Sequence, residues 1–161
     1  MTSSTKLASG DKLPDADHVL RYIRKKFVDL KDQIAGDAFL SRPPEKDDGP
    51  SVNWMEFFSG DTASQIAEIR KVKRMTYEKR GRVAKLQVGR TKRYLQESAA
   101  LAIDCIYDPL PAIDGDAKTC KPPDPSHAYM KGVPFVDTPQ GAAIRDLLVH
   151  CIDESFPVVP D

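Results

Sequence analysis

The chain has 161 residues, with 24 Lys or Arg balanced against 24 Asp or Glu for a formal net charge of zero. That length suits one domain burying roughly two-thirds of its unfolded surface without help from metals or disulfides. With 40% hydrophobic and 30% charged residues, collagen-like, coiled-coil and wholly disordered chains are excluded. No apolar run approaches the ~18 residues of a membrane span, and residues 1–6 lack the apolar core of a secretory leader.

Residues 1–13 are polar and are expected to form a disordered tail, followed by a single domain over 14–157. His18-Val19-Leu20-Arg21-Tyr22-Ile23 has the β-branched and aromatic content of a first strand, and Ala38-Phe39-Leu40 reads as a short second one. Two prolines and a Gly-Pro make 42–50 a loop. Residues 51–58, with the sole Trp, predict a strand running into a turn at the centre of the core. Asp61 is placed to cap a helix reaching about Tyr77, with Ile66, Ile69 and Val72 on its apolar face. Residues 83–88 alternate like a half-buried strand, and a short helix fits 91–97. Further strands are expected at 101–107 and 126–130, separated by an acidic, Pro-rich loop. Thr138 and Pro139 then open a helix whose apolar face is Ile144, Leu147, Leu148, Cys151 and Ile152. The order predicts an α+β fold, a mostly antiparallel sheet packed against two or three helices.

Three widely spaced cysteines, with no C-x-x-C pair, suit a reducing cytoplasm better than an oxidising compartment. Cys105 and Cys151 are expected to be buried and inert, and Cys120 exposed in the loop.

The segments Asp17-His18-Val19-Leu20-Arg21-Tyr22, Ala38-Phe39-Leu40-Ser41-Arg42, Ser51-Val52-Asn53-Trp54-Met55-Glu56 and Asp124-Pro125-Ser126-His127-Ala128 follow one another in this order. In this the chain resembles an uncharacterised group of small bacterial proteins, many encoded near mobile or defence-related genes. The resemblance implies a bacterial, cytosolic, single-domain protein that serves as an accessory subunit of an antiviral defence or mobile-element system. It supplies no activity, cofactor or catalytic residue.

The zero net charge is a sum of unlike blocks. Residues 1–69 carry about −3 and residues 94–161 about −7, while 70–93 holds eleven Lys or Arg against Glu78 alone. On the 61–77 helix, Arg70, Lys71 and Arg74 lie away from the apolar stripe. Together with Arg80, Arg90 and Arg93 they are the candidate contacts to a protein or nucleic-acid partner, where phosphate or carboxylate binding releases counterions. The alternative is a solvated face that pairs with the acidic remainder of the fold.

His18 and His127 fall at predicted strand starts. As neighbours, they would line one cleft with Arg21 and Asn53, a set suited to phosphate-ester chemistry with His moving protons and Arg holding the anion. Trp54 is expected in the core, with Glu56 needing a polar partner or serving as acid or base. The catalytic candidates are therefore His18, Arg21, Glu56 and His127, for a small nucleotide- or RNA-processing enzyme. Against them stands the absence of H-E-x-x-H, Gly-rich phosphate loops and G-x-S-x-G. The residues thus lean toward a non-enzymatic interaction protein, with no cofactor, metal or membrane expected.

Overall fold

Successive side chains of a strand point to opposite faces, and the 18–23 segment buries Val19 and Ile23 on one face and Leu20 on the other. The computed structural model describes residues 7–40, 49–72, 77–135 and 137–158. Among them, β1 (His18–Ile23), β2 (Ser51–Trp54), β3 (Arg82–Gln87), β4 (Asp104–Tyr107), β5 (His127–Lys131) and β6 (Glu154–Pro157) form one sheet. Its spatial order is β4-β5-β2-β1-β3-β6, and every neighbouring pair is antiparallel. With α1 (Thr62–Arg70), α2 (Val88–Ala99) and α3 (Pro139–His150), this is the expected α+β architecture.

The larger core lies between one sheet face and α2 and α3, where Val19, Val52, Trp54, Leu86 and Met130 meet Leu95, Ile144 and Leu148. A smaller core on the opposite face packs Leu20 and Val83 against Met55, Ile66 and Ile69 of the α1 side. The caps form as expected. The Asp61 carboxylate accepts from the Ser64 backbone N–H, which holds its carboxyl below the usual range, and Thr138 accepts from Gly141.

Several segments differ from expectation. Ala38-Phe39-Leu40 is not a strand; Gly36–Phe39 is a single 3-10 turn. The Arg21 guanidinium donates twice to the Ala38 carbonyl, and a side chain at Gly36 would collide with the Arg145 carbonyl of α3. α1 ends at Arg70, well short of Tyr77. α2 starts at once after β3, because the Val88 and Gly89 amides donate to the Asp17 and Asp15 carbonyls in place of a side-chain cap. The stretch 8–13, assigned to the tail from its composition, instead runs along β4, with Leu13 buried and its amide bonded to the Cys105 carbonyl.

β6 was not expected, and it forms one edge of the sheet. Pro157 has no N–H to offer, and the Ser155 and Pro157 carbonyls accept from Arg82 and Arg70. With β4 covered by residues 8–13, neither edge presents a long unpaired backbone to another strand.

Candidate functional site

The register brings three of the sequence candidates to one sheet face. Asn53 pairs with His127 on β5 and with Leu20 on β1, and His18 lies two residues from Leu20. Directly opposed side chains sit about 5 Å apart and diagonal ones about 7–8 Å. His18, Asn53 and His127 therefore form a polar strip. Arg21 is not part of it, since an odd spacing from His18 sends it to the other face, where it donates to the Ala38 and Ser51 carbonyls.

Each member of the strip has defined partners. His18 Nδ1 lies 2.8 Å from Glu56 Oε2, and the His18 backbone N–H donates to Oε1 at 2.7 Å. A carboxylate only accepts, so Nδ1 carries a proton, and Nε2 has no partner among the described residues. His127 is held at both nitrogens, by the Asp108 carbonyl at 2.8 Å and Ser51 Oγ at 3.1 Å. Asn53 Nδ2 donates to both Asp124 oxygens, at 3.0 and 3.1 Å, and approaches Ser126 Oγ at 2.8 Å. Asp124 is only 7% exposed and Ser126 fully buried, so this carboxylate is kept soluble in the fold by neutral donors. Burial and the Asp124 charge together push the Tyr77 hydroxyl pKa up. The sequence sets Asp124 and Ser126 beside His127 without giving them a role and gives no sign of Asp108; all three lie in or beside the loop between β4 and β5.

Trp54 is a core residue, on the opposite face from the strip. It is 5% exposed, packs edge-on against Tyr107 at 5.4 Å, and donates to Asp17 at 2.9 Å. Cys105 and Cys151 are buried, and burial raises their pKa values to about 12 and about 11, so both are unreactive thiols; Cys120 is exposed.

The basic block does not form one surface. β3 carries the chain the length of the sheet, so cations before it and after it lie at opposite ends. At the end where β1 stops and β3 begins lie Arg24, Lys25, Lys26, Lys79, Arg80 and Arg82, joined by Arg70 on the Pro157 carbonyl and by Lys71 next to it, against Glu68 and Glu78, the latter paired with Lys25. Arg74 lies outside the described residues. At the other end are Arg90, Lys92 and Arg93, amid Asp15, Asp17, Glu56, Asp108, Asp124 and Asp153. There Arg90 pairs with Asp153, and Lys92 bridges Asp15 and Asp104, which raises its pKa. Lys71 pairs with Glu68, while Arg24, Lys79 and Arg80 are exposed and make no ion pair with another described residue. The sequence signal for this end was the Arg24-Lys25-Lys26 triplet directly after β1.

An open groove of about 540 Å³ runs between residues 34–37 and α3, lined by Ile34, Gly36, Asp37, Arg145, Val149 and His150. Among the described residues no group of three His, Cys, Asp or Glu is arranged to hold a metal, and no helix is long and apolar enough to cross a membrane. Comparison with family models, curated proteins and solved structures finds no match for this chain.

Proposed function

We infer that this protein is a non-enzymatic interaction module that docks the basic end of its sheet onto an anionic macromolecule. The observation that carries the reading is the segregation of charge along the strand direction. Exposed Arg24, Lys26, Lys79 and Arg80 crowd one end, while most cations of the other end are already paired with acids. Exposed pairs add little stability, so folding alone gives no reason for the separation, whereas a polarised surface steers and orients a charged partner. The resemblance to small bacterial proteins near defence and mobile-element genes supports reading the module as a cytoplasmic accessory subunit of such a system. Reversing Arg24, Lys79 and Arg80 to Glu should weaken binding to a polyanion such as heparin. Unchanged retention on a heparin column would sink the reading.

A second reading, a small nucleotide- or RNA-processing enzyme, is favoured by one observation: His18 is oriented by Glu56 with its Nε2 open, as in a general base. Arg21 faces away and His127 has no free nitrogen, which leaves that base without an anion clamp. Turnover of RNA or nucleotides that disappears in His18→Ala would favour this reading over the first.

A further inference from the structure

Ser51 and His127 sit on adjacent strands, on the face of the polar strip. β2 and β5 pair Ser51 with Tyr129 and Asn53 with His127, so the Ser51 and His127 side chains are diagonal neighbours. Ser51 Oγ lies 3.1 Å from His127 Nε2. Across the ring, Nδ1 lies 2.8 Å from the Asp108 carbonyl oxygen and 3.5 Å from Asp108 Oδ2. The Asp108 amide donates in turn to the His127 carbonyl, which ties the two residues together through the backbone.

These partners fix the chemistry of the ring. A carbonyl only accepts, so Nδ1 carries a proton, and in the neutral ring Nε2 accepts from the Ser51 hydroxyl. That is the contact a nucleophile makes with its general base. The Asp108 carboxylate, and the buried Asp124 held by Asn53 opposite His127, favour the imidazolium that forms when the proton arrives. Ser51 is exposed, whereas the His127 side chain is only 12% exposed. Water can serve an exposed hydroxyl, so satisfying Ser51 gives no reason for the contact. Both groups stand on paired strands, which hold a nucleophile and its base more closely than loops do.

We propose that Ser51 is an activated nucleophile, with His127 as its base and Asp108 positioning the ring, and that it takes an acyl group from an aryl ester or thioester. In this step Ser51 Oγ bonds to the carbonyl carbon and its proton passes to His127 Nε2. The bond from that carbon to the leaving oxygen or sulfur breaks, giving acyl-Ser51 and a phenolate or thiolate. The imidazolium then returns its proton to water or to that anion. The result is a covalent modification of the chain itself, which goes beyond docking and uses none of Arg24, Lys79 and Arg80.

The test uses the full-length protein carrying Cys120→Ser, because Cys120 is an exposed thiol that competes for acyl donors. The probe is p-nitrophenyl acetate, with nitrophenolate release followed by absorbance and the acetylated residue located by peptide mass mapping. General-base assistance is worth about 10²–10⁴-fold. One acetyl group should therefore appear on Ser51 at least about 100-fold faster than on any other serine or threonine. Ser51→Ala should remove it, with circular dichroism unchanged because the side chain is exposed. His127→Gln should slow it by about 100-fold or more. Asp108→Asn should slow it less, since the carbonyl still orients the ring. A second measurement does not depend on the folding of a His127 variant: with Cys120 restored, the Ser51→Cys thiol should react with iodoacetamide faster than the Cys120 thiol of the same chain. Acetyl groups found only on lysines, Ser51 acetylation that a folded His127→Gln leaves unchanged, or a Ser51→Cys thiol no faster than Cys120 overturns the proposal. None of these outcomes bears on heparin retention, so the basic-end reading stands or falls separately.

Discussion

Replacing Asn53 tests whether the buried Asp124 is an anion held by neutral donors. Asn53 Nδ2 sits 3.0 and 3.1 Å from the two Asp124 oxygens and 2.8 Å from Ser126 Oγ. With Asp124 at 7% exposure, water cannot easily take over those donors. Hydrogen bonds to charged groups contribute about 1.5–3 kcal/mol, so Asn53→Ala should cost roughly 2–3 kcal/mol. Asn53→Asp should cost more, because it sets a second carboxylate about 3 Å from the first. At an effective dielectric of about 20, such charges repel by ~5 kcal/mol, and proton uptake by one of the pair relieves part of this. The expected gap between the two variants is therefore about 1–3 kcal/mol at neutral pH. Urea unfolding followed by Trp54 fluorescence measures this, since the only Trp is buried in the core. With a slope of about 2 kcal/mol/M, Asn53→Ala should lower the midpoint by about 1–1.5 M. If Asn53→Asp is as stable as Asn53→Ala at neutral pH, the reasoning about Asp124 fails.

Three further outcomes follow from the packing and the titrating groups. Gly36→Ala forces a Cβ into the Arg145 carbonyl and should cost at least about 1–3 kcal/mol, read as a fall in melting temperature of several degrees; an unchanged melting temperature would remove the reason given for the 3-10 turn. Cys105 has a folded pKa raised to about 12, so its contribution is intact below the unfolded thiol value and is lost as pH rises toward 12. Between about pH 9 and 11 stability should drop by about 1.4 kcal/mol per pH unit from this group, and Cys105→Ala should flatten that decline. Glu56→Gln should leave stability within about 1 kcal/mol, since the His18 pair is about a quarter exposed, and a larger loss in urea unfolding would contradict this.

Much of the fold was readable from local chemistry. β1 announced itself by its β-branched and aromatic content, β3 by alternation, and α3 by Thr138, Pro139 and the spacing of Ile144, Leu148 and Cys151. The segments that were misread depend on distant partners. Ala38-Phe39-Leu40 is too short for its period to be told apart, and its shape is set by Arg21 and by the close approach of α3 at Gly36. Glu154-Ser155-Phe156-Pro157 has little strand propensity and becomes β6 through pairing with β3 and the reach of Arg70 and Arg82. The site was half legible. Period two alone separates Arg21 from His18, a signal present in the residues from the start, whereas the pairing of β2 with both β1 and β5 is long-range and leaves no local mark. Linear charge counting located the basic block without revealing that a six-residue strand divides it between two ends of the sheet.

The decisive measurement is the salt dependence of polyanion binding by variants at the two ends of the sheet. Wild type, Arg24→Glu/Lys79→Glu/Arg80→Glu and Arg93→Glu would be titrated with a labelled polyglutamate and a labelled single-stranded RNA between about 50 and 300 mM salt. Binding through the basic end predicts a wild-type affinity that falls linearly in log–log form. The triple reversal should shift that slope toward zero by about two to three and weaken binding at low salt by at least tenfold, and Arg93→Glu should follow the wild type. An equal loss in Arg93→Glu, or a triple reversal that binds as the wild type does, would contradict the assignment of binding to that end.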